Sequence, residues 1–144
     1  MPSIALAADH AGFELKERIK TYLEQRGYTV VDYGTHSPDS VDYPDFAHPL
    51  AQAVEAGQQQ LGFLFCGSAN GVSIAANKHA GIRCALCWMP EIAQLARQHN
   101  NANVCAMPAR YISTDEAVET AKQFLSTEFE GGRHQRRVEK IAIC

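Results

Sequence analysis

Short apolar runs alternate with segments of helical period along the whole chain, and this alternation constrains the fold more than any other feature. The runs are "SIALAAD" (3–9), "YTVVDYG" (28–34), "LGFLFC" (61–66), "IRCALCW" (82–88) and "NVCAM" (103–107). Several are rich in β-branched and aromatic residues, as strands are. The first helical segment spans 12–27, with Phe13, Leu15, Ile19, Tyr22 and Leu23 at helical spacing and Gly27 as its stop. A polar loop with two prolines (35–45) precedes a helix over 46–57, whose Pro49 must lie in the first turn or bend it. A short helix follows over 70–81, and another over 90–101 opens on Pro90 and closes on Asn100 and Asn101. The last, over 113–129, offers Ser113, Thr114 and Asp115 as caps, and a glycine pair then separates a tail, "RHQRRVEKIAIC".

Strands and helices at this spacing predict a three-layer α/β sandwich around a parallel sheet. Right-handed crossovers put every strand's C-terminal end on one edge, and ligands bind where strand order reverses. If the order begins 2-1-3, Asp9 and His10 share a crevice with Cys66. The 144 residues suit one domain, residues 1–144, able to bury roughly 70% of its unfolded surface.

A net charge of −3 and a pI near 6.0 supply no field for nucleic acid or an anionic membrane. No apolar stretch approaches the roughly 20 residues of a bilayer span, and "MPSIALAADHAG" carries no basic leader. A cytoplasmic protein is expected. Five cysteines, Cys66, Cys84, Cys87, Cys105 and Cys144, are odd in number and mostly in apolar strands, so no disulfide framework is expected. "CALC" (84–87) lies within a strand, where residues three apart face opposite sides, which defeats a shared metal.

The stretch "CGSANG" (66–71) holds the most chemistry. Gly67 and Gly71 can take dihedrals closed to other residues, and Ser68, Ala69 and Asn70 add little bulk. At a helix N-terminus such a turn aims N–H groups at one spot and favours negative charge there. That setting predicts a Cys66 pKa below the usual value of about 8.5. A thiolate beside an anion hole suits nucleophilic attack or proton abstraction next to a carbonyl. A cysteine phosphatase would need arginine where Val72 stands, and neither dinucleotide nor Walker spacing is present.

Asp9 can cap the first helix, and His10 beside it can bind phosphate or move protons. His99 lies at a helix C-terminus, where the macrodipole favours its protonated form. Arg133 and Arg137, four apart, suit a phosphate clamp or a solvated basic face near Glu130 and Glu139. Arg110, past the fifth strand, is placed to join an anion site. His36, His48, His79 and His134 have no metal-ligand spacing, so no metal is expected.

Taken together, "ADHAGFELK", "DYPDFA", "CGSANGVSIAANK", "GIRCAL", "RQHNNANV" and "EGGRHQRRVEKI" closely resemble the ribose-5-phosphate isomerase B family, which includes galactose- and allose-6-phosphate isomerases. The resemblance runs from residue 7 to residue 141, in the family's order. It implies a five-stranded sheet and a homodimer, sometimes a homotetramer, with sites built from two subunits. It also implies cofactor-free aldose–ketose isomerisation of a sugar phosphate. Cys66 matches the base moving a proton between C1 and C2, and His99 the group that helps open the sugar ring. The loop Gly67, Ser68, Ala69, Asn70 and Gly71 would hold the enediolate, while Asp9, Asn100 and Tyr43 contact hydroxyls. His10, Arg110, Arg133 and Arg137 match phosphate-contacting positions. Two departures stand out: Ala69 replaces a frequent glycine, and Val72 occupies the position where one branch, lacking the cysteine, places a glutamate. The rival expectations are a hexose 6-phosphate isomerase and a non-catalytic phosphosugar-binding protein.

Overall fold

The computed structural model describes residues 2–143, so Cys144 lies outside the described residues. Five strands form one parallel sheet: β1 (Ser3–Ala8), β2 (Thr29–Asp32), β3 (Leu61–Cys66), β4 (Cys84–Leu86) and β5 (Val104–Pro108). Their order is β2-β1-β3-β5-β4, which begins 2-1-3 as the crevice requires. The short β4 forms an edge, and β5 inserts beside β3, bringing the segment after Pro108 to the tip of Cys66.

Six helices are α1 (Phe13–Gln25), α2 (Pro44–Glu55), α3 (Asn70–Ala76), α4 (Pro90–Asn100), α5 (Thr114–Ser126) and α6 (Arg133–Glu139). Alternation along the strands sorts their side chains into two cores. Ile4, Leu6, Phe63, Phe65, Cys105 and Met107 pack with α1, α4 and α5, whereas Ala5, Ala7, Leu64, Cys66 and Ala106 pack with α2 and α3. Phe124 meets the Phe63 ring edge-on at 5.4 Å. The three layers follow from strands buried on both faces.

Several boundaries differ from the sequence expectation. Helix α2 starts at Pro44, two residues early, so Pro49 sits beyond its first turn and supplies no N–H there. Helix α3 ends at Ala76 rather than running to residue 81, because the Asn77 side chain turns to bond the backbone N–H and C=O of Cys84. Among the three candidate caps of α5, Ser113 is the one used, in a reciprocal capping box with Glu116. The two thiols of "CALC" fall into opposite cores, Cys84 on the α2/α3 side and Cys87 on the other. Burial pushes the Cys84 thiol up to about 12.

Candidate active site

Ala8 pairs with Phe65 across β1 and β3, so the next residues, Asp9 and Cys66, meet at the switch point. The Cys66 thiol donates to Asp9 Oδ2 at 3.2 Å, while Asp9 Oδ1 accepts from the Gly12 amide at 3.1 Å. Both side chains are buried. Asp9 therefore closes the turn ahead of α1 and does not cap the helix itself, whose N-cap is Gly12. Gly12 lies so close to β3 that a Cβ there would sit 2.3 Å from the Phe65 carbonyl.

The expected low pKa at Cys66 is not what the structure produces. Burial pushes the thiol up, and the hydrogen bond and charge of Asp9 push it further. The Ala69 and Gly67 amides bond toward the sulfur and pull the other way without prevailing. Loop dipoles were legible in the sequence, but the opposing carboxylate arrives from a neighbouring strand.

The loop glycines also work differently from expectation. Neither Gly67 nor Gly71 has a positive φ; the left-handed residue is Ala69, at φ 66°, which is the N-cap of α3. The glycines instead give room to neighbours. A Cβ on Gly71 would stand 2.6 Å from the Tyr43 ring, and one on Gly67 would stand 3.1 Å from Arg110 Nη1. Ser68 and Asn70 are exposed at the mouth, and Val72 is buried against the core.

Arg110 is held beside the loop by its own amide, which donates to the Gly67 carbonyl at 3.1 Å, while Ala109 donates to Cys66 at 2.8 Å. The Nδ1 of His10 accepts from the Val41 amide at 3.2 Å, so a neutral ring carries its proton on Nε2. Asp9, His10, Tyr43, Cys66, the 67–71 loop and Arg110 thus line one crevice.

His99, Asn100, Arg133 and Arg137 are not part of it. Helix α4 returns antiparallel to the strands, so its end lies at the opposite edge of the sheet, and on the other face from Cys66. Strand β5 measures the gap: Val104 pairs with Gly62 and Pro108 with Cys66, about 13 Å apart along the strand. The four residues form a second cluster instead. His99, Asn100 and Arg137 line a cavity of about 340 Å³ with His134 and Ile141. Arg133 and Arg137 are exposed and pair with no carboxylate among the described residues, because Glu139 accepts from Gln135 and Glu130 faces two histidines.

In the sequence Glu130 figured only as a neighbour of the tail arginines and His134 only as a histidine without metal-ligand spacing. Folding nevertheless places one ligand atom each from His99, Glu130 and His134 within 4.8 Å of one another. The one available signal was the i,i+4 relation of Glu130 to His134, with His99 distant in the chain.

Fold and crevice together define a class: a doubly wound α/β protein with a thiol–carboxylate pair at the switch point of its sheet. The chain belongs to the ribose/galactose isomerase family, whose sequence profile matches residues 4–141. Ribose-5-phosphate isomerase B of Escherichia coli is 47% identical over 98% of this chain and 95% of its own. D-erythrulose-4-phosphate isomerase of Pectobacterium atrosepticum is 46% identical over 98% of this chain and 93% of its own. A ribose 5-phosphate isomerase from Thermotoga maritima superposes with TM-score 0.96 at 50% identity, covering 98% of this chain and 97% of that one. Ribose-5-phosphate isomerase B of Mycoplasma genitalium, solved with bound ribulose-5-phosphate, gives TM-score 0.93 at 43% identity, covering 96% and 93%. No helix among the described residues is long and apolar enough to cross a membrane.

Proposed function

We propose that this chain interconverts D-ribose 5-phosphate and D-ribulose 5-phosphate through an enediolate, with Cys66 as the base. The observation that carries this reading is the Cys66 thiol at the tip of β3, with Asp9 as acceptor for its proton and the Gly67 and Ala69 amides turned toward it. Once deprotonated, the sulfur takes the proton from C2 of the open aldose, the O2 hydroxyl proton passes to O1, and the sulfur returns its proton to C1 as O2 becomes the ketone oxygen. Amides of residues 67–71 hold the oxyanion that develops between these steps. Asp9, Tyr43 and Asn100 contact hydroxyls, and His99 exchanges protons at the ring oxygen to open the sugar. His10, Arg110, Arg133 and Arg137 hold the phosphate, a remote handle that fixes the reacting carbons.

The two residue clusters lie on opposite edges of one chain, so these roles need a second copy. In a homodimer, His99, Asn100, Arg133 and Arg137 of one protomer complete the crevice of its partner. The exposed apolar side chains Ile74, Trp88, Met89 and Tyr111 supply contact surface for such an assembly, and two dimers can pair into a tetramer. The whole chain acts as one cytoplasmic sugar-phosphate isomerase domain without a cofactor.

A second reading keeps the chemistry and changes the sugar. The Pectobacterium relative named for a four-carbon substrate is nearly as similar as the E. coli isomerase, so chain length is the variable to test. Purified protein is assayed for ketose formation from ribose 5-phosphate, erythrose 4-phosphate and allose 6-phosphate, with Cys66→Ala as control. Turnover of ribose 5-phosphate that disappears in Cys66→Ala is expected. Turnover surviving the substitution removes Cys66 as base, and sugar-phosphate binding without turnover leaves a non-catalytic binding protein.

A further inference from the structure

We propose that His99, Glu130 and His134 form a binding site for a zinc-class divalent cation, and that an ion held there takes His99 out of the isomerase reaction. The imidazole rings of His99 and His134 stack at 4.4 Å with planes 15° apart. Both Nε2 atoms face the same carboxylate oxygen, Glu130 Oε1, at 3.8 Å from His99 and 3.6 Å from His134. Ligand atoms around a tetrahedral zinc with bonds near 2.1 Å stand about 3.4 Å apart. The two carboxylate–imidazole distances exceed this by a few tenths of an ångström. The imidazole nitrogens, within 4.8 Å of each other, approach further as each ring turns out of the stack so that the lone pairs converge.

The carboxylate is held in place. The Glu130 amide donates to the Gln98 carbonyl at 3.1 Å, tying the segment before α6 to the end of α4. His134 is buried with its Nε2 turned toward Glu130, while His99 and Glu130 are open enough to admit an ion. Two histidines and one carboxylate leave a fourth position for water, a donor set suited to zinc, cobalt or nickel. Arg133 and Arg137 lie on the same short helix and repel a cation, which limits affinity and makes the site reversible. The other close histidine pair lacks this geometry: His48 Nδ1 and His79 Nε2 are 2.8 Å apart, a hydrogen bond.

The inhibitory half of this inference rests on the role proposed for His99; the binding half does not. Zn²⁺ binding to the full-length chain is measured by calorimetry in chelator-treated buffer, with Co²⁺ as a visible-absorbing substitute. The expected result is one ion per chain, with a four-coordinate Co²⁺ band lacking thiolate charge transfer. Affinity falls at least about tenfold in Glu130→Gln and is lost in His134→Asn. It persists in Cys66→Ser and His79→Ala. Glu130 is exposed, so its variant tests the site even if replacing buried His134 disturbs the tail. Zn²⁺ slows ribose 5-phosphate turnover, a chelator restores it, and Glu130→Gln raises the inhibitory concentration by the factor lost in binding. Absent binding, binding indifferent to Glu130→Gln, a thiolate band lost in Cys66→Ser, or full turnover with the site occupied would each overturn the proposal. If metal-free protein turns over no sugar phosphate, the isomerase reading fails and calorimetry alone decides the site.

Discussion

Cys66 and Asp9 share one proton across 3.2 Å, so the resting sulfur is a thiol held against a carboxylate. The arrangement holds the sulfur in its protonated form and gives its proton a defined acceptor. The cost is a small thiolate fraction at neutral pH, because burial and the Asp9 charge both raise the thiol's pKa.

Alkylation of the free protein by iodoacetamide at Cys66 should therefore keep rising as pH increases through the neutral range and past the usual thiol value of about 8.5. Asp9→Asn removes the carboxylate charge, so the same reaction becomes faster at pH 8. Turnover falls in that variant by roughly 10²–10⁴-fold, the range for a lost proton-transfer partner. Unchanged alkylation in Asp9→Asn would show that the two groups do not interact.

Lys16 is fully buried and reaches Asp32 Oδ2 at 2.6 Å, a pair invisible in the helical pattern of α1. Burial alone would raise the Asp32 carboxyl, but bonds from Lys16 and the Gly34 amide outweigh it and hold the pKa below 3.8. The pair's contribution is thus complete above the unfolded pKa and is lost only as pH falls through the lower folded value. Lys16→Met should cost about 3 kcal/mol at pH 7 in chemical denaturation, the low end for a broken buried pair, since Lys20 at 3.3 Å and the Gly34 amide still hold Asp32. Its Asp32 should titrate nearer the ordinary 3.8 than in the wild type, so the variant loses less stability than the wild type as pH falls below that value.

Gly12→Ala places a methyl 2.3 Å from the Phe65 backbone, and no flexible side chain is there to yield. A loss of about 3 kcal/mol is expected by denaturation, at the upper end for overpacking. The shift separates Asp9 from Cys66, so turnover in the folded fraction should drop as well. Wild-type turnover in a stable Gly12→Ala protein would show that the approach of α1 to β3 does not set the site.

Complementation tests the composite site directly. Cys66→Ala and Arg137→Ala proteins should each be inactive alone. Mixed under conditions of subunit exchange, half of the dimers carry both variants, and each has one intact site. Recovery of about a quarter of wild-type activity is expected for isologous dimers. A mixture that stays inactive would place Arg137 and Cys66 in the same protomer's site.

The α/β class and all five strands could be read from the sequence because short continuous apolar runs and period-3.6 patterns are local properties of the chain. The thiol at the end of β3 was likewise legible, as an apolar run that stops at Cys66 before small residues. Strand ends were less so: β4 shrinks to three residues because Arg83 and Cys84 give their amides to Asn103 and Asn77 side chains. Resemblance to a family, rather than spacing, set Arg133 and Arg137 apart from an ordinary charged helix face.

Tertiary structure alone decided how the site is charged and divided. Asp9 reaches Cys66 across 57 residues of chain, and burial together with the Asp9 carboxylate reverses the pKa shift that the loop dipoles imply. Ala69, not a glycine, takes the left-handed turn, while Gly67 and Gly71 yield space to Arg110 and Tyr43. The antiparallel return of α4 puts His99 at the far edge of the sheet, where it meets His134 and Glu130 instead of Cys66. Periodicity specifies elements because it depends on near neighbours; electrostatic partners and close contacts depend on which elements the sheet order sets side by side.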